Sequence, residues 1–141
     1  MPVVNPQALS SDISQFEKLA ERFSLIPLDG KRPIEANWQR FCTTRRAYKT
    51  EDFEDRNAGI CCGPASGLLV LDVDAPDAFM TIVESQGFSL PETMKVQTGS
   101  GKPHYYFRYP DDGRLYGNKG FKHPVFPRLT IFDVRGTGGQ V

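Results

Sequence analysis

The chain has 141 residues, of which 39% are hydrophobic and 24% are charged, a composition typical of one globular domain and not of a disordered segment. Lys plus Arg and Asp plus Glu both number 17. The zero net charge excludes binding to nucleic acid or membranes through a global excess of positive charge. Any contact with nucleic acid is therefore expected from local clusters such as Arg45 and Arg46.

The sequence contains no segment that predicts insertion into a membrane. No apolar run approaches the ~20 residues of a membrane-spanning helix, and residues 1–12 lack the charged and apolar parts of a signal peptide. The cysteines form no C-x-x-C pair, and within a strand the side chains of Cys61 and Cys62 would point to opposite faces. Together with Cys42 they are expected to be free, half-buried thiols of a cytoplasmic protein, with no zinc site.

The elements predicted in the first part of the chain are short. Ser11 is a candidate cap for a helix whose apolar residues recur at spacings of three and four, namely Ile13, Phe16, Leu19, Ala20 and Phe23. SLIPL (24–28) predicts a strand and DGKRP (29–33) a turn. Trp38 and Phe41 fall in a predicted short helix, and Thr50 begins another helical segment that is closed by Gly59.

From residue 58 onward, short apolar runs bounded by Gly, Pro and Ser predict buried strands. These runs are AGICCG (58–63), GLLVLDVD (67–74), MKVQT (94–98), HYYFRY (104–109) and RLTIFDVRG (128–136). A helix is predicted between Asp74 and Gly87, with Pro76 in its first turn, and the Gly- and Pro-rich residues 111–127 are predicted as a long loop. This mixture of strands and helices predicts an α+β fold around one central sheet.

Gly99-Ser100-Gly101-Lys102 looks like the end of a P-loop but departs from that motif. Val96 stands where the first Gly is required, Pro103 replaces the Ser or Thr that holds Mg²⁺, and a strand follows instead of a helix. A Gly-Ser-Gly turn can instead bind an anion through its backbone amides, with Lys102 and His104 as further donors. The alternative for His104 is a core histidine satisfied by a carbonyl, and sheet packing is favoured for Tyr105, Tyr106, Phe107 and Tyr109.

Acidic side chains stand at the ends of two apolar strands. Alternation places Asp72 and Asp74 on one face of GLLVLDVD, and Asp133 and Arg135 on one face with Ile131. Carboxylates without a cluster of thiolates or imidazoles suit Mg²⁺ or Mn²⁺, and a pair of such ions can serve a phosphoryl or nucleotidyl transfer. The alternatives are that Asp74 caps the following helix, that Asp72 is solvated, and that Asp133 simply pairs with Arg135.

GLLVLDVD, SGKPHYYF and FDVRGTGG, in this order and with these gaps, resemble the three motifs of the archaeo-eukaryotic primase superfamily. They are most similar to the bifunctional primase-polymerase (prim-pol) domain of plasmid, phage and bacterial replication proteins. LIPLDGKRPIEANW and NAGICCGPASG are similar to the segments upstream, so that the resemblance runs from about Phe16 to the end. It implies an α+β primase-type catalytic core with a central mixed or antiparallel, RRM-like sheet flanked by helices. Residues 1–141 would be the N-terminal part of that domain, which is expected to continue beyond them.

The resemblance also implies a set of site residues. Asp72, Asp74 and Asp133 match the metal-binding, catalytic carboxylates, and the nucleotide-binding positions are Ser100, Gly101, His104, Arg135, Lys31 and Lys102. It implies two Mg²⁺ or Mn²⁺ ions, nucleoside triphosphates, a DNA template and a helicase domain downstream in the parent protein. The expected activity is DNA-directed joining of nucleotides by a replication protein. A non-catalytic nucleotide- or nucleic-acid-binding replication module and a metal-dependent nuclease stay open.

Overall fold

The computed structural model describes residues 15–141, and this part of the chain contains two α-helices and two antiparallel sheets. The elements are α1 (15–22), β1 (Leu25–Asp29), β2 (Arg32–Pro33), β3 (Asn57–Ile60), β4 (Leu68–Val73), α2 (Pro76–Ser85), β5 (Met94–Gln97), β6 (Pro103–Arg108), β7 (Lys119–Lys122) and β8 (Thr130–Arg135), with short 3-10 helices at Trp38–Cys42 and Thr50–Phe53. The predicted α+β class is confirmed. No helix within residues 15–141 has the length and apolar character needed to cross a membrane.

The structure describes only part of the first predicted helix. Residues 15–22 are helical, whereas Ser11 and Ile13 lie outside the described residues. DGKRP was predicted as a turn, but only part of it is one. Arg32–Pro33 pairs with β1 as a two-residue strand, and the turn between them is made at Gly30, which has a φ of 62°.

The five-stranded sheet has the order β5-β6-β4-β8-β7, and all neighbouring strands are antiparallel. β4 is the central strand of this sheet. Its residues Leu68, Val70 and Val73 are buried, and the residues between them are half-buried. Such a strand needs neighbours on both edges and layers on both faces. α2 covers one of these faces, where Phe79 packs against Val73 and Ile131.

A second, three-stranded sheet with the order β2-β1-β3 lies beside the first, where the sequence had predicted one sheet. The last residues of the chain join it. Ile60 and Val141 exchange both backbone hydrogen bonds, at 2.7 and 3.0 Å, and the Cys62 N–H donates to the Gly139 carbonyl at 2.8 Å. The chain therefore passes from β8 of one sheet to β3 of the other and fastens the two together.

The adjacent cysteines belong to different clusters, as the alternation predicted. Cys61 packs with Ile26, Leu28 and Cys42, and Cys62 packs with Leu68 and Val70. The expectation of half-buried thiols was wrong, because all three are free and fully buried. Burial raises the pKa of the Cys62 thiol to about 12, so this thiol stays protonated at neutral pH.

Tyr105 and Tyr106 of β6 serve the packing of the sheet, as predicted for them. Tyr105 packs in the cluster under α2, and Tyr106 packs against Cys62 and Val70 on the opposite face. Burial raises the pKa of Tyr106 above its ordinary value. The two neighbouring tyrosines therefore anchor β6 from both faces, and neither is a free platform for stacking.

Two predictions about the end of the chain were wrong. The first concerns β7, which lies in the segment predicted as a loop. The prediction missed this strand because it is an exposed four-residue edge strand without an alternating apolar pattern. Its pairing with β8 shifts in register between Phe121 and Lys122. At this irregularity Ile131 and Phe132, although adjacent in sequence, pack in the same cluster under α2. Ile131 therefore does not share a face with Asp133.

Arg45 and Arg46 are engaged within the fold and do not form a free basic cluster. Arg46, whose side chain is 8% exposed, pairs with Glu35 at 2.7 Å and with Asp52 at 2.9 Å. Hydrogen bonding to Glu35 is the largest cause that raises the pKa of Arg46. Arg45 donates to the carbonyl of Ala20. Arg46 thus links the segments before and after it through two carboxylates.

We expect Arg46→Ala to lower the free energy of unfolding by about 2 kcal/mol, because two partly buried carboxylates lose their cation. The exposed Arg56 provides a matched control, and Arg56→Ala should change the free energy of unfolding by less than about 0.5 kcal/mol. Urea unfolding of both variants, followed by circular dichroism, measures the difference. Equal stabilities would contradict a structural role for the Arg46 pairs.

Candidate active site

The register of the five-stranded sheet brings three predicted residues side by side. Asp72 on β4 lies directly opposite His104 on β6 and directly opposite Asp133 on β8. Residues directly opposite each other in an antiparallel pair point to the same face. The sheet therefore presents a row of carboxylate, imidazole and carboxylate groups, with Asp72 in the middle.

The Asp72 carboxylate contacts two nitrogen-bearing side chains. His104 Nε2 lies 3.2 Å from Asp72 Oδ1, and Arg135 Nη2 donates to Asp72 Oδ2 at 3.4 Å. The side chains of Asp72 and His104 are 19% and 18% exposed, which is too buried for a carboxylate without partners. His104 therefore contacts a carboxylate, and Arg135 pairs with Asp72 across the strands, not with Asp133 as the simple alternative had it.

Asp74 follows β4 directly and lies near a further cation. Its Oδ1 is 3.7 Å from Nζ of Lys102, and its backbone N–H donates to the Ile131 carbonyl at 2.9 Å. The residue at the N-cap of α2 is Ala75, with no side-chain cap. Asp74 consequently does not cap the helix, which removes the structural alternative considered for it.

Asp133 lies between Asp72 and Gly120 in the sheet. Gly120 is its register partner on β7, and a Cβ atom at Gly120 would stand 2.8 Å from Asp133 Oδ1. The carboxylate therefore leans over the glycine and uses space that any other residue would fill. No motif pointed to Gly120, because its effect depends on a pairing that local sequence does not encode.

The Gly-Ser-Gly turn joins β5 to β6 and closes on itself. The Gly101 N–H donates to the Thr98 carbonyl at 2.9 Å, and the Thr98 N–H donates to the Lys102 carbonyl at 3.0 Å. Gly101 has a φ of 81°, which favours glycine at this position. The Gly101 amide is thus used within the turn, whereas the other two amides of Gly-Ser-Gly, those of Gly99 and Ser100, donate to no acceptor among residues 15–141.

A cleft of about 630 Å³ opens between this turn and the three-stranded sheet. It is lined by Leu28, Lys31, Asp72, Asp74, Thr98, Gly99, Ser100, Lys102, His104, Arg135, Gln140 and Val141. The predicted site residues all line it except Asp133, which stands one strand further along the sheet, and Gly101. Two acidic side chains and four cationic or imidazole side chains thus meet in one space suited to a charged ligand.

The cleft residues that the sequence did not predict come mainly from the three-stranded sheet. Gln140 Nε2 donates to the Lys31 carbonyl at 3.2 Å, and a Cβ atom at Gly59 would lie 2.6 Å from Gln140 Oε1. Gln140 and Val141 reach the cleft only because the end of the chain pairs with β3. A glutamine after two glycines carries no sequence signal for such a position.

The donor chemistry of the three carboxylates fits a divalent cation, because Mg²⁺ and Mn²⁺ prefer oxygen ligands. The side chains are not arranged as a closed site. Within residues 15–141 no group of three or more His, Cys, Asp or Glu residues is positioned to hold a metal ion. Asp72 and Asp74 face His104, Arg135 and Lys102 instead. A cation could enter there by replacing these partners.

The α+β fold with its cleft of acidic and cationic side chains agrees with the family found by comparison with known families. The model of the family described as bifunctional DNA primase/polymerase, N-terminal, matches residues 17–141, and the chain belongs to this family. The resemblance predicted from the three motifs is confirmed. Membership suggests a primase/polymerase activity of the nucleotidyltransferase type. A comparison with curated proteins gives no match.

We expect Gly120→Ala to weaken Mn²⁺ binding several-fold while leaving stability within about 0.5 kcal/mol, because the new Cβ displaces only the end of the Asp133 side chain. Gly117→Ala is the control, since a Cβ there meets nothing within 4 Å. Titration with Mn²⁺ followed by electron paramagnetic resonance measures the affinity. Equal Mn²⁺ affinities of the two variants would show that the place of Asp133 does not matter for the cation.

Proposed function

We propose that the cleft is the nucleotide-binding part of a nucleotidyltransferase centre that joins nucleotides on a DNA template in a replication protein. The observation that carries the proposal is the register in which Asp72 has His104 on one side and Asp133 on the other. This row faces a cleft that also receives the Gly-Ser-Gly turn. Family membership supports the reaction type.

In this proposal Asp72, Asp74 and Asp133 hold two Mg²⁺ or Mn²⁺ ions. Bound ions of this kind neutralise phosphate charge and stabilise the attacking and leaving oxygens of an in-line displacement. The chain contributes carboxylates fixed by β4 and β8, and their mutual repulsion favours a bound cation. Because these carboxylates stand on or directly after the paired strands of a sheet, their positions are fixed, and catalysis by proximity and orientation requires such fixed positions.

The triphosphate would lie against the turn. The amides of Gly99 and Ser100, the Ser100 hydroxyl and the Lys102 ammonium are donors suited to phosphate oxygens. Lys102 and His104 now face Asp74 and Asp72, and they would exchange these carboxylates for phosphate oxygens when nucleotide binds. The carboxylates would then be paired with the metal ions, and the phosphates with Lys102 and His104. Each charged group would thus keep a counter-charge before and after the nucleotide binds.

Lys31 and Arg135 complete the proposed nucleotide site from the other side. The Lys31 side chain is exposed at the mouth of the cleft, where it can screen phosphate charge at little cost in desolvation. Arg135 is 40% exposed and donates to Asp72. Because it holds a carboxylate and also reaches solvent, it can orient that carboxylate and meet an incoming phosphate.

One observation favours a second function, a replication module that binds nucleotides without turning them over. Asp72 and Asp74 are already neutralised by side chains of this chain, and such a site needs no metal ion to be stable. A module of this kind would bind nucleotide in the absence of divalent cations. A metal-dependent nuclease has less need of the donors in the turn, so binding of triphosphate also separates that function.

We expect Asp72→Asn and Asp133→Asn each to lower nucleotide incorporation at least about 100-fold, because each removes a carboxylate proposed to hold the divalent ions that stabilise the transferring phosphate. Asp55→Asn is the control, since Asp55 is exposed and has a φ of 54°, which asparagine tolerates. Extension of a primed DNA template with labelled nucleotides and Mg²⁺ or Mn²⁺ measures the rate. Incorporation that survives Asp72→Asn would refute the proposed centre.

We expect Lys102→Ala to weaken binding of nucleoside triphosphate about 3- to 10-fold and of monophosphate less, because one charge-assisted contact to the outer phosphates is lost. Lys95→Ala is the matched control: Lys95 lies on the same hairpin but opposite Tyr105, on the face away from the cleft. Isothermal titration calorimetry with and without Mn²⁺ measures both affinities. If both lysine variants bind triphosphate as the wild type does, the turn is not the phosphate site.

A further inference from the structure

The segment that forms β7 and leads into β8 concentrates positive charge. Residues 113–132 contain Arg114, Lys119, Lys122, His123 and Arg128, but no Asp or Glu. The chain as a whole has zero net charge, so this segment is a local excess of cations. A cluster of that kind was sought at Arg45 and Arg46, where the fold uses both side chains internally.

Three cations of this segment have no acidic partner within residues 15–141, and one of them, Lys119, lies with Nζ 5.1 Å from the centroid of the Phe121 ring. Lys119, Lys122 and Arg128 are exposed, and none of them belongs to an ion pair formed within residues 15–141. Lys122 Nζ donates to the Thr130 hydroxyl at 2.6 Å, which fixes the side chain without neutralising it. Exposed cations without acidic partners are the groups that bind a phosphate backbone.

Two aromatic rings lie exposed among these cations. Phe126 is 63% exposed, and the His123 ring lies 5.2 Å from it. His123 Nδ1 accepts the backbone N–H of Phe126 at 3.1 Å, which fixes the turn that carries the ring. Phe121 is 37% exposed, but its ring stacks on Phe132 with centroids 4.4 Å apart, and Lys119 Nζ lies 5.1 Å from its centroid. Phe126 is therefore the ring that is open to the stacking of an unpaired base.

We propose that these residues bind single-stranded nucleic acid, on what we name the β7 surface, defined as Lys119, Lys122, Phe126 and Arg128. The proposal rests on the proposed function for its meaning, since a strand bound there would be the template. β7 pairs with β8, and Gly120 lies directly opposite Asp133. Lys119 and Phe121, on either side of Gly120, point to the opposite face of the sheet, where Phe121 stacks on Phe132. A strand held along this edge would be one strand of the sheet away from the carboxylate row, with Lys119 on the far face.

A second copy of the chain is a poorer occupant of this surface. β7 is an edge strand of four residues, with Lys119 and Lys122 at its two ends and a register shift within it. Short edge strands with lysines and irregular pairing are features that oppose strand addition by another chain. The surface also carries only positive charge, and two copies of it would repel each other. A polyanion with exposed bases fits both its cations and the Phe126 ring.

The test is binding of a fluorescein-labelled oligothymidylate of about 20 nucleotides, measured by anisotropy in EDTA over a range of salt concentrations. We expect the triple variant Lys119→Ala, Lys122→Ala, Arg128→Ala to bind at least about 10-fold more weakly at low salt. The slope of log K against log salt should become less steep by about 2, since each phosphate contact on a single strand contributes about 0.7. Phe126→Ala should weaken binding about 5-fold or more while keeping the slope.

The charge-matched control is Lys18→Ala, Arg22→Ala, Arg56→Ala, which removes three exposed cations elsewhere. Circular dichroism and thermal unfolding check that each variant is folded. The proposal is overturned if the wild type does not bind the oligonucleotide, or if the β7 and control triples bind alike. It is also overturned if sedimentation velocity shows a wild-type dimer that Phe126→Ala separates with unchanged oligonucleotide binding.

This test is independent of the catalytic proposal, because it uses neither metal ion nor nucleotide. Weaker oligonucleotide binding by the β7 triple supports the β7 surface even if the wild type incorporates no nucleotide. Conversely, incorporation that is lost in Asp72→Asn, combined with unchanged oligonucleotide binding by the β7 triple, supports the catalytic centre and refutes the surface.

Discussion

The contact of the Asp72 carboxylate with His104 and Arg135 is the interaction on which the rest of the structure depends. β4 is the central strand of the larger sheet, and its acidic end lies directly opposite another acid, Asp133. Like charges directly opposite each other destabilise an antiparallel pair. His104 and Arg135 offset this repulsion at 3.2 and 3.4 Å. The side chains proposed for nucleotide binding therefore also make the centre of the sheet tolerable, so that fold and site cannot be varied independently.

The elements that could be predicted from the sequence are those that carry their own pattern. β4 and β8 are apolar runs bounded by breakers, and α2 has Pro76 in its first turn and an apolar stripe. β7 and the pairing of Gln140 with Cys61 could not be predicted, because both arise from partners distant in sequence. A short strand at the edge of a sheet needs no apolar alternation. It gains its hydrogen bonds from its neighbour, and the local sequence does not record which neighbour that is.

The same distinction holds within the candidate site. The places of Asp72, Asp74 and Asp133 at the ends of apolar runs could be predicted from the sequence, although alternation wrongly put Ile131 on the face of Asp133, because it does not foresee the irregular pairing of β8 with β7. The partner of Arg135 could not be predicted, since the choice between Asp133 on its own strand and Asp72 on the next depends on the register. Gly120 illustrates this limit most clearly. Its contribution is the absence of a Cβ atom beside Asp133, which becomes visible only when the two strands are placed together.

The sequence also does not show which charges are free. The net charge of zero counts alike the charged side chains that are paired within the fold and those that are exposed to solvent. Arg46 is a basic residue by sequence, yet two carboxylates and the packing around it remove it from the surface. Lys119 and Lys122 are exposed and form no ion pair within residues 15–141. The acids stand on the central strand and its neighbour, whereas the free cations stand on the edge strand beside them. On the proposals above, a nucleic-acid backbone would be held by the cations of β7, whereas a triphosphate would meet Lys102 and His104 on the other side of Asp72. This separation would hold a phosphate backbone beside the carboxylates without placing it over them.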